Sequence, residues 1–146
     1  MHLKIPVVRS NHASMPVQST KEAAGFDLCA HIISDIVIAP GRRELVPTGL
    51  KMSIPEGFCG LVCPRSGLAL RNGVTVLNAP GIIDSDYRGD IAVILANFGD
   101  VPFTIKAGMR VAQLVFVHHL RTLFVPAQSL DVTDRAAGGF GSTGAV

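Results

Sequence analysis

Glu44-Leu45-Val46-Pro47-Thr48-Gly49-Leu50-Lys51-Met52-Ser53-Ile54, then Pro55-Glu56-Gly57, then Phe58-Cys59-Gly60-Leu61-Val62-Cys63: an alternating run and an apolar one divided by a Pro/Gly turn. Runs of this length bounded by Gly and Pro read as strands. The pattern continues in both directions. Towards the N-terminus lie Leu3–Val8, Phe26–His31 and Ile36–Ile38, the last closed by Pro40-Gly41. Towards the C-terminus follow Val74–Leu77, Ile91–Phe98, Phe103–Ile105, Val111–His118 and Thr122–Val125. Asn72-Gly73, Pro80-Gly81 and Lys106-Ala107-Gly108 punctuate them. Many short strands with closely spaced turns are the signature of a β-sandwich or barrel. One helix of a turn or two fits Ser66–Arg71. Ile91–Ala96 is apolar on both faces, so one face suits the core and the other a neighbouring chain. Cys59, Leu61 and Cys63 alternate along their run, share a face, and are expected in the core.

Composition agrees. The chain has 146 residues, 48% hydrophobic and 16% charged, with 15 Gly and 9 Pro. Val, Ile and Thr together supply 34 positions, which favours strands and excludes a helical bundle. A charged share below the usual figure of about 25% points to surface covered by a partner subunit. The net charge of +2 comes without a basic stripe, so a nucleic-acid partner is not expected. Three cysteines make no disulfide framework. Cys59 and Cys63 lack the further ligands of a zinc site, and the adjacent His118 and His119 point to opposite faces. No run approaches the roughly 18 apolar residues of a membrane span, and Met1–Pro6 has no signal-peptide architecture. The expectation is a soluble, cytoplasmic, single-domain protein: a β core over residues 1–125 and a C-terminal arm over 126–146.

Three segments carry chemistry. Pro64-Arg65-Ser66-Gly67-Leu68-Ala69 follows a strand and opens the helix. It reads either as a phosphate cradle of amides, hydroxyl and guanidinium, or as an ordinary turn capped by Ser66. Asn78 to Asp90 holds three aspartates, Arg88 and the only tyrosine, Tyr87. A calcium loop fails there, because Arg88 and Leu95 stand where a ligand and the closing Glu are required. An acidic hairpin carrying a general base fits better, beside the alternative of a solvated turn. Gln113 interrupts an apolar strand and needs a backbone group or a ligand to satisfy its amide. The last 21 residues hold few large apolar side chains and end in Gly138-Gly139-Phe140-Gly141-Ser142-Thr143-Gly144. That composition suits either a frayed terminus or a flexible arm that wraps an anion while a ring covers something flat.

Together these segments resemble the homotrimeric dUTPases. Five family motifs stand in order: Ala24-Gly25-Phe26-Asp27-Leu28-Cys29-Ala30, Pro64 to Ala69, Asn78 to Gly89, Gly108-Met109-Arg110-Val111-Ala112-Gln113-Leu114, and Arg135 to Gly144. The resemblance implies an all-β, jelly-roll-like β-clip fold with one short helix. It also implies a trimer with sites shared between subunits, and Mg²⁺-dependent hydrolysis of dUTP to dUMP and pyrophosphate. Such an activity limits uracil incorporation into DNA and supplies dUMP for dTMP synthesis.

By position, the resemblance makes Asp84 the general base that activates water for attack at the α-phosphorus. Tyr87 would pack against the deoxyribose and exclude a 2′-hydroxyl. Asn78, with the backbone of Gly81, Ile82 and Ile83, would read uracil from a hairpin. Arg65, Ser66 and Gly67 would hold phosphates, with Gln113 adding a polar contact. Asp27 would orient water on a Mg²⁺ held mainly by the triphosphate. In the arm, Phe140 would cap the uracil while Arg135, Gly141, Ser142 and Thr143 close over the phosphates. Ala136 departs from the family's usual Gly, which adds strain of about 1 kcal/mol if φ there is positive. The rival readings are a related dCTP deaminase and a non-catalytic trimeric nucleotide-binding module. Aligned on Gly89, Ile94 falls where the deaminases carry a catalytic Glu, and an aliphatic side chain cannot shuttle a proton.

Overall fold

The computed structural model describes residues 2–139. Ten strands and one helix run in the order β1 (Val7–Arg9), β2 (Phe26–Cys29), β3 (Ile36–Ile38), β4 (Arg43–Met52), β5 (Phe58–Cys63), α1 (Ser66–Asn72), β6 (Val74–Val76), β7 (Gly81–Ile83), β8 (Ile91–Asn97), β9 (Phe103–Ile105) and β10 (Arg110–His118). They form two four-stranded antiparallel sheets, β1-β4-β8-β6 and β2-β10-β5-β7, and a two-stranded ribbon, β3-β9. Among the described residues no helix is long and apolar enough to cross a membrane.

Period-two alternation decides which side of each strand is dry. On β4, Val46, Thr48, Leu50 and Met52 are buried while Leu45, Pro47 and Lys51 face out. Pro47 has no N–H for a ladder, and the β4–β8 register shifts between Pro47 and Leu50. Gly49 takes φ +69° in that bulge, and the buried Thr48 hydroxyl donates to Ile91 O at 2.6 Å. Leu28, Val62 and Leu114 of one sheet meet Val46, Leu50, Val93 and Leu95 of the other, and Ile38 and Ile105 close the end. Asn97 is fully buried. Its Nδ2 donates to Ile38 O and Val101 O, both at 2.8 Å, and its Oδ1 accepts from Gly99 N at 2.9 Å.

Three expectations need correction. Thr122–Val125 is not a strand; Leu123 and Phe124 are 84% and 91% exposed. Among the described residues nothing offers that segment a ladder or an apolar face. Cys59, Leu61 and Cys63 do share a face, but Gly60 and Val62 between them face the core, and the cysteines lie half-buried on the outside. The first strand starts at Val7 rather than Leu3. Conversely β7, only three residues long, lies inside the polar Asn78–Asp90 stretch and ends one sheet.

Candidate active site

The sheet β2-β10-β5-β7 places the candidate residues along its length. In one row across it, Asp27 on β2 stands opposite Gln113 on β10, which stands opposite Cys63 on β5. Pro64 and Arg65 follow directly. Asp27 is mostly buried, and both its oxygens are used. Oδ1 meets Arg65 Nε at 3.1 Å; Oδ2 meets Arg110 Nη1 at 3.2 Å and accepts from the Ser19 hydroxyl at 2.9 Å. Arg65 Nη1 also donates to Arg110 O at 3.1 Å. One carboxylate therefore holds two guanidiniums against the turn into α1.

Of the two readings left open for Gln113, the structure contains a backbone bond: its Nε2 donates to Pro64 O at 3.0 Å. The amide thus braces the residue before Arg65. Gly25 makes room for it, since a Cβ there would lie 2.6 Å from Gln113 Oε1. The cap of α1 falls to Arg65, extended at φ −95° and ψ 123°, with no side-chain cap bond. Ser66 is the first helical residue, and its hydroxyl caps nothing among the described residues. Arg71 folds back over the first turn: a Cβ on Gly67 would lie 2.8 Å from its Nη2.

At the other end of the sheet, β7 pairs with β5 through one edge only, Gly81 with Val62 and Ile83 with Gly60. Its second edge offers backbone N–H and C=O groups without a strand partner. Asn78 lies over Gly81, whose Cβ would be 3.2 Å from Nδ2. A hollow of about 80 Å³ runs between Asn78, Gly81, Ile82, Ala92 and Ile94. It adjoins one of about 180 Å³ lined by Ile82, Ile83, Asp84, Tyr87, Asp90 and Ala92. Tyr87 is 45% exposed at its rim, and its hydroxyl donates to Asp90 O at 3.0 Å. Arg88 Nη1 ties the turn by donating to Ser85 O at 2.6 Å and Tyr87 O at 2.8 Å. The Asp84 carboxylate is exposed and accepts no hydrogen bond among the described residues. Ile94, not a carboxylate, faces the smaller hollow.

The chain brings these residues together as two groups, not one. Asp84 lies four rows along the sheet and three strands across from Asp27. At about 3.3 Å per residue and about 4.8 Å per strand, that puts them on the order of 20 Å apart. Arg135 lies in neither group; its Nε donates to Gly138 O at 2.9 Å in an exposed turn where Ala136 has φ +43°. Phe140, Gly141, Ser142 and Thr143 fall outside the described residues.

Among the described residues no set of three or more His, Cys, Asp or Glu is placed to hold a metal ion. A carboxylate has about four lone-pair sites, so Asp27 with three donors retains room for one water. The donor set thus fits a magnesium carried by phosphates and touched through water, and does not fit a protein cage. Reading the sequence missed Arg110, Ser19 and Arg71 as neighbours of these groups. Arg110 stood within a quoted motif, but its meeting with Asp27, 83 positions away, depends on strand register.

A family model described as dUTPase matches residues 11–144. The deoxyuridine 5′-triphosphate nucleotidohydrolases of two Caulobacter vibrioides strains are each 53% identical over 132 residues, covering 89% of this chain and 85% of theirs. Among solved structures, the dUTPase of Staphylococcus bacteriophage 80alpha with dUPNHPP superposes with a TM-score of 0.87 at 26% identity, over 97% of this chain and 98% of that one. A mutant dUTPase from phage phi11 of S. aureus, showing coordination of a structural Mg(II) ion, shares the fold at a TM-score of 0.77 and 24% identity, over 86% of this chain and 97% of that one.

Proposed function

The chain belongs to the dUTPase family and is an enzyme of the dUTP nucleotidohydrolase kind, and from that premise we propose how it works: dUTP is cleaved to dUMP and pyrophosphate at sites assembled between copies in a homotrimer. The observation that carries this reading is the register that sets Asp84 four rows and three strands from Asp27 in one chain, on the order of 20 Å at ideal sheet spacings and beyond the span of one triphosphate. On this reading a nucleoside seated at Asp84 takes its phosphate ligands from another copy.

Uracil lies along the outer edge of β7, hydrogen-bonded to the backbone of Gly81, Ile82 and Ile83 and to Asn78. Tyr87 supports the deoxyribose and leaves no room for a 2′-hydroxyl. Arg65, Ser66 and Gly67 of a second copy hold the phosphates, with Gln113 beside them fixing the turn. Asp84 takes a proton from water as the water oxygen bonds to the α-phosphorus. The bond from that phosphorus to the bridging oxygen breaks, and pyrophosphate leaves with the electron pair. General-base assistance of this kind contributes about 10²–10⁴-fold. Mg²⁺ bound to the triphosphate would neutralise charge on the leaving group, with Asp27 orienting one of its waters. Arg135, Phe140, Gly141, Ser142 and Thr143 close over the bound substrate and exclude bulk water.

The test is to incubate the protein with dUTP, dTTP, dCTP and UTP in turn, with Mg²⁺, and follow pyrophosphate release. dUTP alone should turn over efficiently. Comparable rates on UTP would overturn the role of Tyr87, and ammonia release from dCTP would move the protein to the deaminases.

A further inference from the structure

Gly89 has no backbone reason to be glycine. Gly49, Gly57 and Gly73 take φ of +69°, +84° and +65°, where a side chain is strained; Gly89 is not in that region. What Gly89 provides is space. A Cβ on it would lie 2.6 Å from Tyr87 Cζ and 3.0 Å from Cε2, and still nearer the phenolic oxygen. Ordinary carbon contacts begin at about 3.5 Å, so the ring would have to retreat by about 1 Å.

Little in the turn can give way instead. Tyr87 Oη is held by Asp90 O at 3.0 Å, and Tyr87 N donates to Asp84 O at 3.2 Å. The Arg88 guanidinium fastens the carbonyls of Ser85 and Tyr87. The aromatic ring is rigid, unlike the flexible Gln113 amide that meets Gly25. Its displacement would therefore act at the sugar position of the hollow that Tyr87 lines.

We propose that Gly89 is a specificity-positioning residue, whose missing side chain fixes the Tyr87 ring where it separates deoxyribose from ribose. This rests on the reading of Tyr87 given under Proposed function. It makes a distinct claim: the sugar preference depends on a residue that touches no substrate. Gly89 acts through Tyr87 alone, so a side chain at 89 matters only while the ring is present.

A double-mutant cycle tests that claim. Gly89→Ala, Tyr87→Ala and the double variant are compared with the parent for kcat/KM on dUTP and UTP, for dUpNHpp affinity by calorimetry, and for Tm. Gly89→Ala should lower kcat/KM for dUTP by about tenfold or more and shrink the dUTP/UTP ratio. In the Tyr87→Ala background the same substitution should change dUTP turnover and dUpNHpp affinity by less than about twofold. An equal loss in both backgrounds overturns the proposal, because Gly89 would then act on the turn itself. If Tyr87→Ala leaves the dUTP/UTP ratio at the parent value, the reading of Tyr87 fails and the proposal with it. Should Gly89→Ala alone fail to fold, recovery of folding in the double variant supports the ring contact, and failure of both counts against it.

Discussion

Arg65 and Asp27 meet at 3.1 Å where β5 ends and α1 begins, and the same carboxylate holds Arg110 at 3.2 Å from the facing strand. Asp27 is thus the common anchor of two guanidiniums that would otherwise repel. Asp27→Asn keeps the shape but removes the charge. We expect a loss of about 1–2 kcal/mol in stability, since Arg110 is half exposed and its share is screened. The kcat/KM for dUTP should fall by about tenfold or more as Arg65 leaves the phosphate turn. Chemical denaturation and steady-state kinetics measure the two effects. Parent-like values in both would remove Asp27 from the site.

The Asp84 carboxylate accepts no hydrogen bond among the described residues and sits exposed beside Tyr87. Its substitution should therefore leave the fold untouched. Asp84→Asn is expected to keep Tm and dUpNHpp affinity near the parent values while kcat falls by about 10²-fold or more. Turnover within a few-fold of the parent would mean that another group accepts the proton.

Among the described residues, 135–139 bond only to near neighbours, Ala136 N to Thr133 O at 3.0 Å and Gly138 N to Arg135 O at 2.9 Å. If the chain assembles as proposed, removing it from Arg135 onward should leave the trimer intact and abolish efficient turnover. Trimers mixed from truncated chains and full-length Asp84→Asn chains should regain partial activity, because some sites combine an intact base with an intact arm. Light scattering follows assembly, and pyrophosphate release follows rescue. Confirmed mixed trimers without rescue would contradict sites shared between copies.

Ala136 carries φ +43°, in the region that costs an L-residue about 1–2 kcal/mol. If the closed arm keeps this turn, Ala136→Gly should raise kcat/KM for dUTP by about two- to fivefold. A lower value would show that the closed arm abandons the turn and that glycine there only adds disorder.

The strands were readable because Gly and Pro bound nearly every one, and because runs such as Ile36–Ile38 and Phe103–Ile105 are too short for a helix. Thr122–Val125 misled for the same reason in reverse: it has strand composition without a strand partner among the described residues. For Cys59 and Cys63, alternation correctly put both on one face but could not say which, since Gly60 and Val62 are equally apolar. β7 was hidden because three residues inside a polar segment give no periodic signal. The candidate residues came from motif order. Their division into two distant groups did not, because it depends on the registers of β2, β10, β5 and β7.

Asn97 has a consequence for the chemical lifetime of the molecule. Both protons of its amide point at carbonyl oxygens, those of Ile38 and Val101, and so join β8 to the ribbon. Deamidation would exchange that nitrogen for oxygen with almost no change of shape. It would also set a carboxylate against two acceptors in a place that water does not reach. The side-chain link between β8 and the ribbon therefore lasts only as long as this single amide. The burial that would make its loss so damaging also keeps the hydrolysing water away.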